Sequence, residues 1–287
     1  MRKTYPTLGA AALSALALLA CSPAQAEPPK APRAPAAAPA AGPAPAGADF
    51  RYAKALPAGQ TVSIRNLVGT IRAEPSSSST LEVVATKVSE GGDPALVRVV
   101  ASEHAGGVTV CALYPGGGDS CEGGGRGEGR GTKAHGESRE VKVRVDFVVR
   151  VPAGLTFEAA NVSGDIEARG LRGDVRATAV SGDVAVSTAS GAVEAKSVSG
   201  AVRVAMGAPR EGVASSASAV SGSVEVRLPA QSNFDAEAST VSGRIETDFG
   251  LPVQRGFVGQ SLRGRVGRGG AQLRLDTVSG GIRISRS

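Results

Sequence analysis

Glycine recurs at a fixed interval of nine residues in the middle of this chain, and this register constrains the possible folds more than any other feature. Five glycines keep the interval: Gly164, Gly173, Gly182, Gly191 and Gly200. The register continues at wider intervals, mainly within Val-Ser-Gly tripeptides, through Gly222, Gly243 and Gly280. A short repeat of this kind is typical of a chain that coils over itself.

The repeat predicts coils of about 18 to 22 residues, each with two short strands and with glycine at bends where a Cβ would not fit. Apolar and polar residues alternate between the bends, which is typical of strands with one buried face. In this register the residue before each Ser, such as Val162, and the residue two after each Gly, such as Ile166, should form inward ladders. The predicted fold is therefore all-β, a single-stranded parallel β-solenoid (β-helix).

Composition divides the chain into three parts. Residues 1–20, or 1–26 with a later cut, have the basic start and short apolar run of a signal peptide. Residues 21–48 are almost wholly Ala and Pro and are expected to be a disordered linker. Residues 49–287 should form the solenoid, interrupted by a Gly-rich insertion at 116–136.

Two cleavage signals overlap near the end of the apolar run. The sequence Leu18-Leu19-Ala20-Cys21 resembles a bacterial lipobox in which Cys21 would be lipidated, whereas Ala24-Gln25-Ala26 is a site for ordinary release. Preferring the lipobox, we expect an exported cell-envelope lipoprotein anchored to the outer membrane. A periplasmic or secreted protein is the alternative.

The remaining cysteines, Cys111 and Cys121, are expected to pair in a disulfide because exported proteins meet an oxidising environment. The rival interpretation is a metal site with His104 and His135. The ten-residue cysteine spacing disfavours it, since zinc knuckles place their cysteines three to five residues apart.

Composition also disfavours several kinds of activity. Two His and no Trp leave few acid–base groups and few stacking surfaces. The Gly-rich insertion lacks the Gly-Lys-Ser/Thr ending and the following helix of a phosphate-binding loop. A formal net charge of +6 is too modest to indicate nucleic acid. We therefore predict no cofactor, no metal and no nucleic-acid partner.

Three polar features leave alternatives open. Asp165 and Asp183 should stack as like charges, which either calcium or neighbouring arginines such as Arg169, Arg172 and Arg176 would relieve. The triplet Arg172-Gly173-Asp174 matches an integrin-recognition tripeptide but also belongs to the glycine register. Residues 244–287 hold eight Arg against three acids and would either meet anionic lipid or cell-wall phosphate, or protect an open sheet edge.

The repeated Val-Ser-Gly-Asp-Val units, which follow the turn Val151-Pro152-Ala153-Gly154, resemble the bacterial DUF4097 domains, also called Toastrack or candidate adhesin domains. The resemblance covers most of residues 56–287. It implies a β-helix exported to the envelope and, in some relatives, an association with envelope-stress sensing. It implies no catalytic residues.

These features together favour a non-enzymatic function. The leading hypothesis is a cell-envelope scaffold that acts as an adhesin or interaction surface, with an envelope protein or a surface polymer as its partner. The alternative is an envelope-stress sensor or accessory protein that recruits a partner. A polysaccharide-acting enzyme is disfavoured, because the chain has only 3% aromatic residues to offer as sugar platforms.

Overall fold

The computed structural model describes residues 49–115, 121 and 142–287. The predicted signal peptide, the Ala/Pro linker with Cys21, and His135 lie outside these residues, as does the Gly-rich insertion apart from Cys121. The described residues form strands joined by turns, with one 3₁₀ turn at Pro94–Leu96 and no α-helix. The prediction of an all-β domain is confirmed.

Twenty-one strands make up the described domain. In chain order they are β1 (Phe50–Ala55), β2 (Thr61–Val68), β3 (Ile71–Pro75), β4 (Thr80–Ser89), β5 (Arg98–His104), β6 (Gly107–Leu113), β7 (Val143–Val151), β8 (Thr156–Ser163), β9 (Ile166–Arg172), β10 (Val175–Ser181), β11 (Val184–Ser190), β12 (Val193–Ser199), β13 (Val202–Met206), β14 (Ala214–Ser221), β15 (Val224–Leu228), β16 (Phe234–Ser242), β17 (Ile245–Thr247), β18 (Val253–Arg255), β19 (Gln260–Val266), β20 (Gln272–Ser279) and β21 (Ile282–Arg286).

The strands form two sheets. The ten-stranded sheet has the order β1-β4-β7-β3-β9-β11-β13-β15-β21-β17, and the eleven-stranded sheet has the order β18-β19-β16-β20-β14-β12-β10-β8-β2-β6-β5. Within the body of the domain the chain passes from one sheet to the other and back, so that each coil contributes one strand to each sheet. Neighbouring coils are parallel and in register, with Val175 opposite Phe157 and Val184 opposite Ile166.

Strict alternation of side chains explains why these segments pair as they do. Val143–Val151 alternates buried and partly exposed residues along its whole length. The inward side chains of both sheets form one core, largely of Val, Ala and Ile. Its bulkiest members are Phe147, Phe157 and Phe234, in strands towards the two ends of the coil stack. Small residues between the sheets permit the regular stacking of the middle coils.

The sheets are mixed, and this corrects the prediction of a single-stranded parallel solenoid. Strands β1, β4 and β5 run antiparallel to their neighbours at one end, and β18 and β19 do so at the other. The glycine register extends only through coils that bend in the same way, so it did not reveal these reversals. The described part of residues 49–287 is therefore a parallel stack with antiparallel ends.

The order of the coils also departs from the order of the chain. The pair β20–β21 lies between the β14–β15 coil and the β16–β17 coil. Likewise, β6 and β7 lie outside the β2–β3 coil, although they follow it in sequence. The spacing of glycines sets the length of a coil and says nothing about which coil it stacks on.

Candidate interaction surface

Glycines at one corner of the coils stack into a continuous column. It contains, in stacking order, Gly69, Gly164, Gly182, Gly200, Gly222, Gly280 and Gly243. A Cβ on Gly182 would lie 2.2 Å from the carbonyl oxygen of Gly164, which is far inside van der Waals contact. The opposite corner is similar, because a Cβ on Gly173 or Gly191 would lie 2.1 or 2.2 Å from a carbonyl oxygen of the adjacent coil. Close approach of the coils therefore excludes any side chain.

Buried polar side chains support this corner from inside, and sequence reasoning missed them. The Asn161 amide donates to the carbonyl oxygens of Gly69 and Gly164, at 2.7 and 2.8 Å. Ser197 and Thr277, at the same position three residues before a column glycine, donate to the Gly182 and Gly222 carbonyls at 2.9 and 3.0 Å. The sequence does carry a signal for them, because a polar residue stands at an inward position where the alternation would otherwise place an apolar one.

Aspartates at the corners are held by backbone amides. The Asp183 carboxylate accepts the Ala201 N–H at 2.8 Å and the Arg203 guanidinium at 2.8 Å. These contacts lower the pKa of Asp183, with the backbone hydrogen bond as the largest cause. Asp174 accepts the Ala192 N–H in the same way.

An arginine does pair with one of the stacked aspartates, but it is Arg203, which contacts Asp183, and not one of those singled out from the sequence. Arg169 and Arg176 pair with the glutamates Glu167 and Glu158. Backbone N–H donors compensate Asp165 and, together with Arg203, Asp183. No group of three or more possible metal ligands occurs among the residues that the structure describes.

A row of aliphatic side chains runs along the outer face of the eleven-stranded sheet. This aliphatic ladder consists of Leu67, Val162, Val180, Val198, Val220, Val278 and Val241 in stacking order. Its members are between 41% and 53% exposed. The prediction that the residue before each Ser faces inward was therefore wrong, whereas the residue two after each Gly is buried, as Ile166 and Val184 show.

Strand alternation explains the outward direction of the ladder. In β8, Phe157, Ala159 and Asn161 point into the core, so Val162 must point away from it. The apolar identity of these valines suggested burial. However, they occupy positions in the strand whose side chains point away from the core.

Two further rows lie beside the aliphatic ladder on the same face. The nearer row includes the short side chains of Ala160, Thr178 and Ser218 and also the charged Lys196 and Asp276. The farther row carries charges of alternating sign in adjacent strands: Arg176 contacts Glu158 at 2.8 Å and Glu194 at 3.7 Å. The hydrogen bond from Lys196 is the largest cause that lowers the pKa of Glu194. The face thus combines an apolar stripe, a row of short and charged side chains, and a border of paired charges.

This arrangement suits binding over an extended flat area. An exposed apolar stripe with a polar rim is a recognised mark of interaction surfaces. The charges in the border have nearby partners, so the ladder is the apolar part of this face that is left without one.

The other predicted site residues occupy structural positions. Cys111, in β6, and Cys121 form a disulfide, and the Arg65 guanidinium donates to the Cys121 carbonyl at 3.1 Å. His104 is exposed on edge strand β5, 3.3 Å from the Thr109 hydroxyl. The Arg172-Gly173-Asp174 triplet forms a packed corner whose carboxylate is engaged, so it is not presented on a loop tip.

Most arginines in residues 244–287 are engaged on the domain surface. Arg263, Arg265, Arg274 and Arg283 each form an ion pair, and Arg286 stacks over the Phe249 ring at 5.2 Å. No helix within the described ranges is long and apolar enough to cross a membrane.

The chain was compared with solved structures, curated proteins and family profiles. One similar solved structure is that of a candidate cell adhesion protein from Clostridium sporogenes, with 11% identity, 83% of this chain and 99% of that chain covered, and a TM-score of 0.43. Another is a candidate adhesin from Bacteroides fragilis, with 12% identity, 82% and 96% covered, and a TM-score of 0.27. No curated protein matches the chain. The profile of the Toastrack DUF4097 family matches residues 60–285, and the chain therefore belongs to that family.

Proposed function

We propose that this domain is a non-enzymatic interaction scaffold of the adhesin type, which presents the aliphatic ladder to an envelope protein or a surface polymer. The observation that carries the proposal is the continuous exposure of seven large aliphatic side chains along one sheet face. Soluble proteins seldom leave such a row uncovered without a binding role. The glycine column allows close, in-register stacking of the coils, which aligns the ladder side chains from one coil to the next.

The charged border leaves the binding energy to the aliphatic ladder. Its alternating ion pairs leave little net charge, so long-range attraction contributes little, and binding energy has to come from contact with the ladder.

A binding assay with envelope fractions tests the proposal. Immobilised protein is compared with the double variant Val180→Asp and Val198→Asp, which places two charges in the ladder. We expect about a tenfold or greater loss of bound envelope material, since each apolar side chain removed from water contributes ~1–2 kcal/mol. The matched control is Ala185→Asp with Ala205→Asp, which adds the same charge to the outer face of the other sheet. Equal binding by the ladder variant and the wild type would refute the proposal.

Identification of the bound material separates the related hypotheses. A surface polymer or surface protein supports the adhesin-like role, whereas a regulatory membrane protein supports the envelope-stress alternative. Incubation with a glycan panel tests hydrolysis directly. We expect no cleavage.

We also propose that the protein is exported and tethered through Cys21, with residues 21–48 as a spacer. The support is the lipobox-like sequence before Cys21. Wild-type protein should enter the detergent phase on partition, and Cys21→Ala should leave it in the aqueous phase. A wild-type chain that begins at Glu27 and stays aqueous would replace the tethered form with a released one.

A further inference from the structure

Two large apolar side chains stand exposed as neighbours at the tip of the β18–β19 hairpin. Phe257 is fully exposed and Val258 is 69% exposed. They are the two central residues of the turn, which is closed by a hydrogen bond from the Gly256 N–H to the Gly259 carbonyl, at 3.2 Å. Among the described residues, the other exposed large apolar side chains are the aliphatic ladder and the isolated Leu96. The tip is therefore a second, separate apolar feature.

The hairpin is held firmly against the body of the domain. A Cβ on Gly259 would lie 2.0 Å from the Thr240 carbonyl oxygen, so the turn packs directly on β16. The Gln260 side-chain oxygen accepts the Ile245 N–H at 2.8 Å. Because these contacts fix the base of the turn, Phe257 and Val258 are displayed and have no described side chain to cover them.

Two arginines beside the tip are available to an external anion. Arg244 and Arg255 line an open depression of about 680 Å³ together with Gly256 and Gly259. The acid in its lining, Glu246, is already paired with Arg283 at 3.1 Å. No ion pair joins Arg244 or Arg255 to a carboxylate within residues 49–115, 121 and 142–287. They differ in this respect from the arginines on the neighbouring strands.

We propose that the β18–β19 tip docks the domain on an anionic lipid bilayer, with Phe257 and Val258 inserted among the headgroups and Arg244 and Arg255 against the lipid phosphates. The joint display of an aromatic ring, an aliphatic side chain and uncompensated guanidinium groups is complementary to a surface that is apolar below and negative above. A soluble phosphate ion would contact the arginines but would make no use of the apolar surface of Phe257 and Val258. This docking site is distinct from the aliphatic ladder and acts in addition to it.

Vesicle sedimentation tests the proposal with the exported Cys21→Ala protein cut after Ala26, so that neither an acyl anchor nor the apolar run of the signal peptide can contribute. We expect binding to phosphatidylcholine vesicles containing about a third phosphatidylglycerol, with little binding to pure phosphatidylcholine. Phe257→Ser with Val258→Ser should weaken binding by about tenfold or more. Arg244→Gln with Arg255→Gln should also weaken it and reduce its dependence on salt.

Three controls make the result specific. Leu96→Ser removes an exposed apolar side chain elsewhere and should bind like the parent. The ladder variant Val180→Asp with Val198→Asp should also retain vesicle binding, so failure here and failure of the proposed scaffold function are distinguishable. Inorganic phosphate should displace the protein no better than chloride at equal ionic strength.

Absence of binding to anionic vesicles would overturn the proposal. So would tip variants that bind like the parent while their thermal unfolding is unchanged, or selective displacement by inorganic phosphate, which would indicate a simple anion site. Loss of binding in the ladder variant, but not in the tip variants, would place the lipid contact on the other surface and would also overturn it.

Discussion

The carboxylate of Asp165 accepts a hydrogen bond from the backbone N–H of Asp183, the residue at the same corner position of the next coil, at 2.8 Å. The side chain thus serves as the acceptor that a neighbouring strand would otherwise provide. Asp183 repeats the arrangement with Ala201, and Asp146 does so with Thr70. The corner aspartates therefore link successive coils where the strands themselves are interrupted.

Asp183 should make stability depend on pH in the acid range. Its pKa is lowered in the folded protein, so its contribution is present above the unfolded pKa of about 3.9 and is lost as the pH falls through the folded value. Asp183→Asn should therefore destabilise at neutral pH, by about 1 kcal/mol or less for a half-exposed group. Its difference from wild type should shrink below about pH 4 in urea titrations. A constant difference across this range would contradict the assignment.

Gly182→Ala should be among the most damaging single methyl additions. The Cβ would meet the Gly164 carbonyl oxygen at 2.2 Å, and the backbone φ of 149° is also unfavourable for other residues. We expect a loss of at least about 3 kcal/mol in unfolding free energy, measured by chemical denaturation. Gly212→Ala is the control, because its φ is 75° with no atom within 4 Å of the added Cβ, and it should cost about 1–2 kcal/mol. Equal losses would show that backbone strain, and not coil approach, dominates.

Substitution of two valines four residues apart tests the inside and outside assignment. Val184 is fully buried, so Val184→Ala should cost about 2 kcal/mol. Val180, which is 46% exposed in the aliphatic ladder, should lose only about 0.5 kcal/mol on replacement by Ala. Thermal unfolding of both variants under one condition gives the comparison, and a reversed order would mean that the strand register is wrong.

Asn161→Ala should leave two buried carbonyl oxygens without their donor and cost about 2 kcal/mol. Asn161→Thr is the rescue variant, because Thr240 and Thr277 perform this role at equivalent positions. Denaturation midpoints of the two variants decide the matter. If Thr is as harmful as Ala, the donor column contributes little.

Reduction of the disulfide should lower stability by about 3 kcal/mol in the chain-entropy model, since Cys111 and Cys121 are separated by ten residues. Thermal unfolding with and without reductant measures the effect. Exported wild-type protein should contain no free thiol on alkylation and intact-mass analysis, and Cys111→Ser with Cys121→Ser should make stability independent of reductant.

The sequence predicted the fold best at positions where a single local requirement determines the residue. Close backbone approach demands glycine, so the register located corners such as Gly182 and Gly200 directly. The sequence predicted worst the features that depend on pairing with another part of the chain, such as side-chain direction and strand orientation. Val162 looked like a core residue until the parity of β8 was fixed by Phe157 and Ala159. The antiparallel ends depend on long-range pairing that no short repeat records.

The same contrast between local and long-range features holds for the candidate interaction surface. The valines of the aliphatic ladder were visible in sequence, but their exposure was not. Arg244 and Arg255 could not be distinguished from Arg263 or Arg265 by composition, because only the three-dimensional arrangement reveals which guanidinium groups have acidic partners.

The position of β20 and β21 affects the timing of assembly during synthesis. Residues of β16 and β17 leave the ribosome before Gln272–Ser279, yet their parallel neighbours in the finished domain are β20 and β21. The last coil of the stack therefore cannot reach its final parallel neighbours until these later strands have been made. A nascent chain interrupted before Gln272 would lack two interior strands, and β16 and β17 would then have no edge in their native positions to pair with.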